Sequence, residues 1–141
     1  MKYFKKLMKI NIVYDRDLYL THITPLINEL EKRGHAIIYN SSGGVITIAS
    51  HISDLKKWHN KTPLVFTDHR CCPGKGIKSD YKILVELNAL LLLSGKYYED
   101  TLKSVVPDYT NHGIIGYPKL YFTCARRVKS IVPVPILLSV K

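Results

Sequence analysis

The feature that most constrains this chain is a set of five short apolar runs, each closed by polar or glycine-containing residues. They are residues 8–14 (MKINIVY), 36–39 (AIIY), 63–67 (PLVFT), 89–93 (ALLLL) and 112–115 (HGII). Runs of four to seven residues, rich in Ile, Val and Leu and stopped by charge or turn residues, read as strands; 8–14 reads as a buried one and 89–93 as buried on both faces. Pro63 leads its run, where a missing backbone donor is tolerated.

Between the runs the apolar period lengthens. Ile23, Leu26, Ile27 and Leu30 fall at i, i+3, i+4 and i+7, one face of a helix, with Pro25 expected in its first turn and Gly34 as its stop. After the turn cluster 40–44 (NSSGG), Val45, Ile48, Ala49, Ile52 and Leu55 keep helical spacing, against the β-branched Ile46 and Thr47. Residues 81–87 lean to helix. A further helix opens at Ser94-Gly95 and runs to Val106, with Glu99 and Asp100 near its positive end and Pro107 as its stop. Strands alternating with helices predict an α/β fold: a Rossmann-like parallel sheet of about five strands, with helices on both faces. The domain is expected to span residues 1–120. Residues 121–141 break the rhythm as a basic tail, with Pro133 and Pro135 unsuited to a central strand.

With 141 residues the chain is long enough for one core and too short for two such domains. Twenty-one Lys and Arg against eleven Asp and Glu give a net charge of +10, suited to polyanionic or phosphorylated partners or to an anionic membrane surface. No acidic residue follows Asp108. The three cysteines, two of them the adjacent Cys71 and Cys72, make neither a disulfide framework nor a zinc site, and suit a reducing, cytoplasmic setting. No apolar run has the roughly 18–20 residues of a membrane span, and no signal-peptide pattern opens the chain.

In open α/β sheets, ligands bind beyond the carboxyl ends of the strands. One strand end stands out there: residues 68–76 (DHRCCPGKG). His69 is a candidate general base, since an unperturbed imidazole titrates near working pH, and Asp68 can orient it. Backbone amides at Gly74 and Gly76, with Lys75 and Lys78, are candidates for holding a phosphate. The stretch is not a P-loop, because Gly76 stands where a Ser or Thr must reach magnesium. No Gly-x-Gly-x-x-Gly follows the first strand, so no dinucleotide fingerprint is present, and neither a metal site nor a resident cofactor is expected.

Three stretches carry a family resemblance: 67–78 (TDHRCCPGKGIK), 94–98 (SGKYY) and 113–120 (GIIGYPKL). Together they resemble the N-terminal half of the CDP-glycerol glycerophosphotransferases, polyol-phosphate transferases of GT-B architecture linked to teichoic-acid and surface-polymer synthesis. The likeness covers about residues 8–120. It implies that His69 takes the proton of an acceptor hydroxyl attacking the β-phosphate of CDP-glycerol, with CMP leaving. It also implies that Ser94, Gly95 and Gly116 join the phosphate-binding residues and that the acceptor, a polyol phosphate or glycan, binds on this half. Most contacts to the nucleotide are expected from a second GT-B domain, or a second copy of the chain must complete the site. Arg70 stands where the family has glycine, and beyond Leu120 the likeness stops, so a truncated or degenerate copy, inactive alone, is the expectation. The resemblance places the chain in the cytoplasm, with peripheral contact at the inner face of the membrane.

Two alternatives compete. A nucleotide-sugar glycosyltransferase or a UDP-sugar 2-epimerase-like GT-B half would use the same strand-end histidine. A non-catalytic basic module would bind anionic membrane or nucleic acid through charge, although no helix-turn-helix, RNP-like strand or zinc finger supports specific nucleic-acid binding.

Overall fold

The computed structural model of the chain describes residues 6–68 and 76–116. They form an α/β domain built on a six-stranded, all-parallel sheet. In chain order the elements are β1 (Lys9–Ile12), α1 (Asp17–Lys32), β2 (Ala36–Tyr39), β3 (Ile46–Ala49), α2 (Ile52–Lys56), β4 (Leu64–Thr67), α3 (Ile77–Glu86), β5 (Leu90–Leu93), α4 (Lys96–Val105) and β6 (His112–Ile114). The strand order is β2-β1-β3-β4-β5-β6. The Rossmann-like α/β expectation therefore holds, with one strand more than the five read from sequence.

The extra strand is β3. Residues 45–55 were expected to be one helix; instead Ile46–Ala49 pairs in parallel with β1 and β4, and only Ile52–Lys56 is helical. Thr47, Ile48 and Ala49 are all buried, so the run shows no strand-like alternation of apolar and polar residues, and the strand plus the short helix after it imitate a helical period. Three branched residues and a place between two partner strands decide the conformation. Pro25 is also displaced from its expected position. Helix α1 starts at Asp17, so Pro25 lies in its middle and not in its first turn.

Alternate residues of each strand point to opposite faces. On one face Ile10, Ile12, Ile48, Val65 and Leu92 pack with Ile23, Leu26 and Ile27 of α1. On the other Ala49, Leu64, Phe66, Leu91 and Leu93 pack with Leu55 of α2, Tyr81 and Leu84 of α3, and Tyr98 and Leu102 of α4. Helices thus cover both faces, α1 alone on one among the described residues. No helix among them is long and apolar enough to cross a membrane.

The crossover from β2 to β3 carries no helix. Residues 40–45 run back across β1, where the Ser41 N–H donates to Asn11 Oδ1 (3.1 Å) and the Val45 N–H to the Lys9 carbonyl (2.8 Å). Gly44 lies so close that a Cβ there would sit 2.8 Å from Asn11 Cβ and 2.9 Å from its backbone nitrogen. Asn11 is fully buried beneath this strap, and its Nδ2 donates to Thr47 Oγ1 (3.4 Å), which in turn bonds Thr62 Oγ1 (2.6 Å). A buried polar side chain is accommodated because both ends of its amide are satisfied. The domain expectation for residues 121–141 lies outside the described residues.

Candidate functional site at the carboxyl edge

The strand order reverses at β1: the chain moves outward to β2, then returns past β1 to β3. A crevice beyond the carboxyl ends of two strands that diverge in this way is where open α/β sheets take ligands. Here the loops above it are residues 13–16, leading into α1, and Ser50-His51, leading into α2.

These two loops are tied together. Ser50 Oγ donates to the Tyr19 carbonyl (3.2 Å), and the His51 ring stacks on the Tyr19 ring with centroids 4.6 Å apart and planes 18° from parallel. His51 Nδ1 and Ser53 Oγ are 2.6 Å apart. Ser50, His51, Ser53 and Lys56 line one side of a cleft of about 430 Å³, with Asp80 and Ile83 of α3 opposite and Phe66 among its lining residues.

Beside this cleft lies Asp54, only 1% exposed, in the first turn of α2. Neither of its carboxylate oxygens has a hydrogen-bond partner among the described residues. Burial foremost, then the neighbouring charge of Asp15, raises its pKa above the usual carboxylate range. His51 and Lys57 pull it back only in part, as does the Asp15 main-chain N–H, which lies near without closing a hydrogen bond. A buried carboxyl with a raised pKa beyond the carboxyl ends of the strands is an environment in which proton-transfer groups are found.

The residues expected from sequence fall along the same edge. Asp68 directly follows β4 and is 4% exposed. His51 and Asp68 follow the adjacent parallel strands β3 and β4, whose paired residues run to Ala49 with Phe66, so both lie at the carboxyl edge. Ser94 and Gly95 follow β5 and lead into α4, and Gly116 lies just beyond β6. Gly76 caps α3 in the left-handed region (φ 86°), a conformation that favours glycine. Lys78, exposed, stands in the first turn of α3 at the same edge. The sheet thus gathers Asp68, Gly76, Lys78, Ser94, Gly95 and Gly116 on the ends of three adjacent strands and the helix between two of them. His69, Gly74 and Lys75 lie outside the described residues. Among the described residues no three His, Cys, Asp or Glu side chains converge to hold a metal ion.

Sequence reasoning missed Tyr19, Ser50, His51 and Asp54. Reading residues 45–55 as a single helix put His51 in its interior; only the strand ending at Ala49 makes it a strand-end residue. The signal was present in the branched run Ile46-Thr47-Ile48. No family model matches the chain, and neither a curated protein nor a solved structure matches it significantly.

Proposed function

We propose that the carboxyl edge of this sheet binds a phosphorylated acceptor and that the chain acts as the acceptor-side half of a polyol-phosphate transferase of the CDP-glycerol type. The observation that carries this reading is the placement of Asp68: buried, at the end of a central strand, next but one to the β1–β3 divergence, with His69 following it in the sequence. The resemblance of residues 67–78, 94–98 and 113–120 to that family supports it, because Asp68, Gly76, Ser94, Gly95 and Gly116 come to one edge.

In the reaction, an acceptor hydroxyl oxygen forms a bond to the β-phosphorus of CDP-glycerol while the bond from that phosphorus to the bridging oxygen breaks. CMP carries away the electron pair, and the hydroxyl proton passes to His69, which Asp68 orients. Phosphoryl transition states are loose, so catalysis is mainly positioning and charge stabilisation. Lys75, Lys78 and the backbone amides at Gly74 and Gly76 supply part of that charge. Contacts to the cytidine fall to a second GT-B domain or a second copy of the chain. Action at the inner face of an anionic membrane fits the net charge of +10.

Two measurements test the reading. Calorimetric titration of the chain with glycerol 3-phosphate and with CDP-glycerol is expected to show saturable binding that weakens at least tenfold in His69→Ala and Lys75→Ala. Equal binding by both variants and the parent moves the site elsewhere. Incubation with CDP-glycerol and a glycerol-phosphate-primed acceptor is expected to release little CMP; rapid release shows that the chain needs no second half.

A further inference from the structure

The opposite edge of the sheet carries a larger cavity, of about 570 Å³. It forms because α2 ends after five residues and the chain turns through residues 57–61 before β4. That turn makes one wall, with His59, Asn60 and Thr62. The α3–β5 turn makes a second, with Leu87 and Asn88, and Asn111 a third. The amino ends of four strands contribute Met8, Ile46, Leu64, Val65 and Leu90, an apolar surface among these polar groups.

The chemistry of this lining is selective. Among the described residues, no Lys, Arg, Asp or Glu lines the cavity. Its polar groups are three carboxamides, a hydroxyl and one imidazole. A phosphate, a carboxylate or an ammonium ion would find no counter-charge there. A carboxamide both donates and accepts, which is what neighbouring ligand hydroxyls require. Apolar side chains among such groups suit the C–H face of a sugar ring, and the volume falls within the ~300–1,000 Å³ of small-molecule sites.

The backbone sets where the carboxamides stand, and one of them is tethered. Asn111 Nδ2 lies 3.5 Å from the Asn88 carbonyl, and the Asn111 carbonyl accepts the Leu91 N–H at 3.0 Å. Asn60 (φ 64°) and Asn88 (φ 53°) occupy left-handed turn positions. Turn geometry explains why Asn or Gly stands at both. It does not explain why all three residues are Asn and all line one uncharged cavity.

We infer that the amino-edge cavity is a binding site for a neutral sugar unit of one or two rings, distinct from the carboxyl-edge site and independent of its assignment. The test is a titration of the isotopically labelled chain, followed through its backbone amide NMR signals. The probes are the methyl β-glycosides of glucose, galactose and N-acetylglucosamine, with maltose and glucose 6-phosphate. At least one neutral sugar is expected to give saturable shifts at residues 59–62, 87–90 and 111, with glucose 6-phosphate at least tenfold weaker there. Asn60→Gly and Asn88→Gly keep the positive φ and so the turns; each is expected to weaken binding at least fivefold with the spectrum otherwise preserved, and Asn111→Ala likewise. The inference is overturned if no neutral sugar saturates, if the shifts map to the carboxyl edge, if the phosphorylated sugar binds the cavity equally well, or if all three folded variants bind like the parent.

Discussion

Asp54 is the residue whose environment most opposes its chemistry. Its carboxylate is buried without a hydrogen bond among the described residues, and its pKa is raised by burial and by Asp15. A carboxyl whose folded pKa lies above its unfolded value favours folding while both states are protonated, and that advantage is lost as pH rises through the folded value. Asp54→Asn is therefore expected to stabilise the domain at neutral pH by about 1 kcal/mol or more, since an unpaired buried charge costs more than a neutral amide in the same place. The gain should shrink as pH falls toward the carboxylate range. Thermal unfolding of parent and variant at pH 7 and pH 4 checks the sign; a variant less stable at pH 7 refutes the account. A residue that costs stability is the kind retained for function. Gly44 has the opposite logic, being required by space. Gly44→Ala would drive a Cβ against the Asn11 backbone and is expected to destabilise by about 1–3 kcal/mol in urea unfolding.

At the scale of elements, α1 shows how packing overrides local preference. Pro25 removes a backbone donor from mid-helix, yet the helix continues because Ile23, Leu26 and Ile27 are buried against the sheet. Pro25→Ala should restore the bond to the Thr21 carbonyl and stabilise the domain by about 1–3 kcal/mol, less than or equal to the ~3 kcal/mol propensity gap between the two residues. A rise in the urea midpoint with an unchanged slope is the expected reading. Strand β3 makes the complementary case. Its five-residue neighbour α2 is too short to be stable alone, so the pairing of Ile46–Ala49 with β1 and β4 sets where that helix can begin. Two helix ends share a device, of which only Gly34 was read from the sequence. Gly34 and Asn88 each close a helix in the left-handed region; the next residue, His35 or Ala89, donates back to Leu30 or Leu84 at 3.0 and 3.1 Å.

For the whole molecule, the sheet separates two chemistries. Its carboxyl edge gathers Asp68, Gly76, Lys78, Ser94, Gly95 and Gly116 beside the Tyr19–His51 stack, while its amino edge holds a cavity that no charged side chain lines among the described residues. A salt titration distinguishes these from binding by net charge alone. Non-specific association of this +10 chain with polyanions should fall steeply between 50 and 200 mM salt, about as the number of phosphates neutralised. Binding of glycerol 3-phosphate in a shaped site should fall much less, and binding of a neutral sugar should not change.

What the sequence determined by itself is the fold class and most of its elements. Apolar runs at residues 63–67 and 89–93 are local signals, since a strand buried on both faces must be continuously apolar wherever its neighbours lie; those at 36–39 and 112–115 mark strands too, but edge strands that are only partly buried. The same locality marked Asp68, Ser94-Gly95 and Gly116 as strand-end residues, because polar and glycine residues stop such runs. Tertiary structure alone decided the rest. Whether residues 46–49 are strand or helix depends on two partner strands 36 and 17 positions away at their paired residues, Thr47 with Asn11 and with Leu64, which no local period encodes. The strap over Asn11, the crevice at the β1–β3 divergence with Tyr19, Ser50, His51 and Asp54, and the carboxamide-lined cavity all follow from that pairing. Each joins residues distant in sequence, so its chemistry exists only once the sheet has set which strand ends are neighbours.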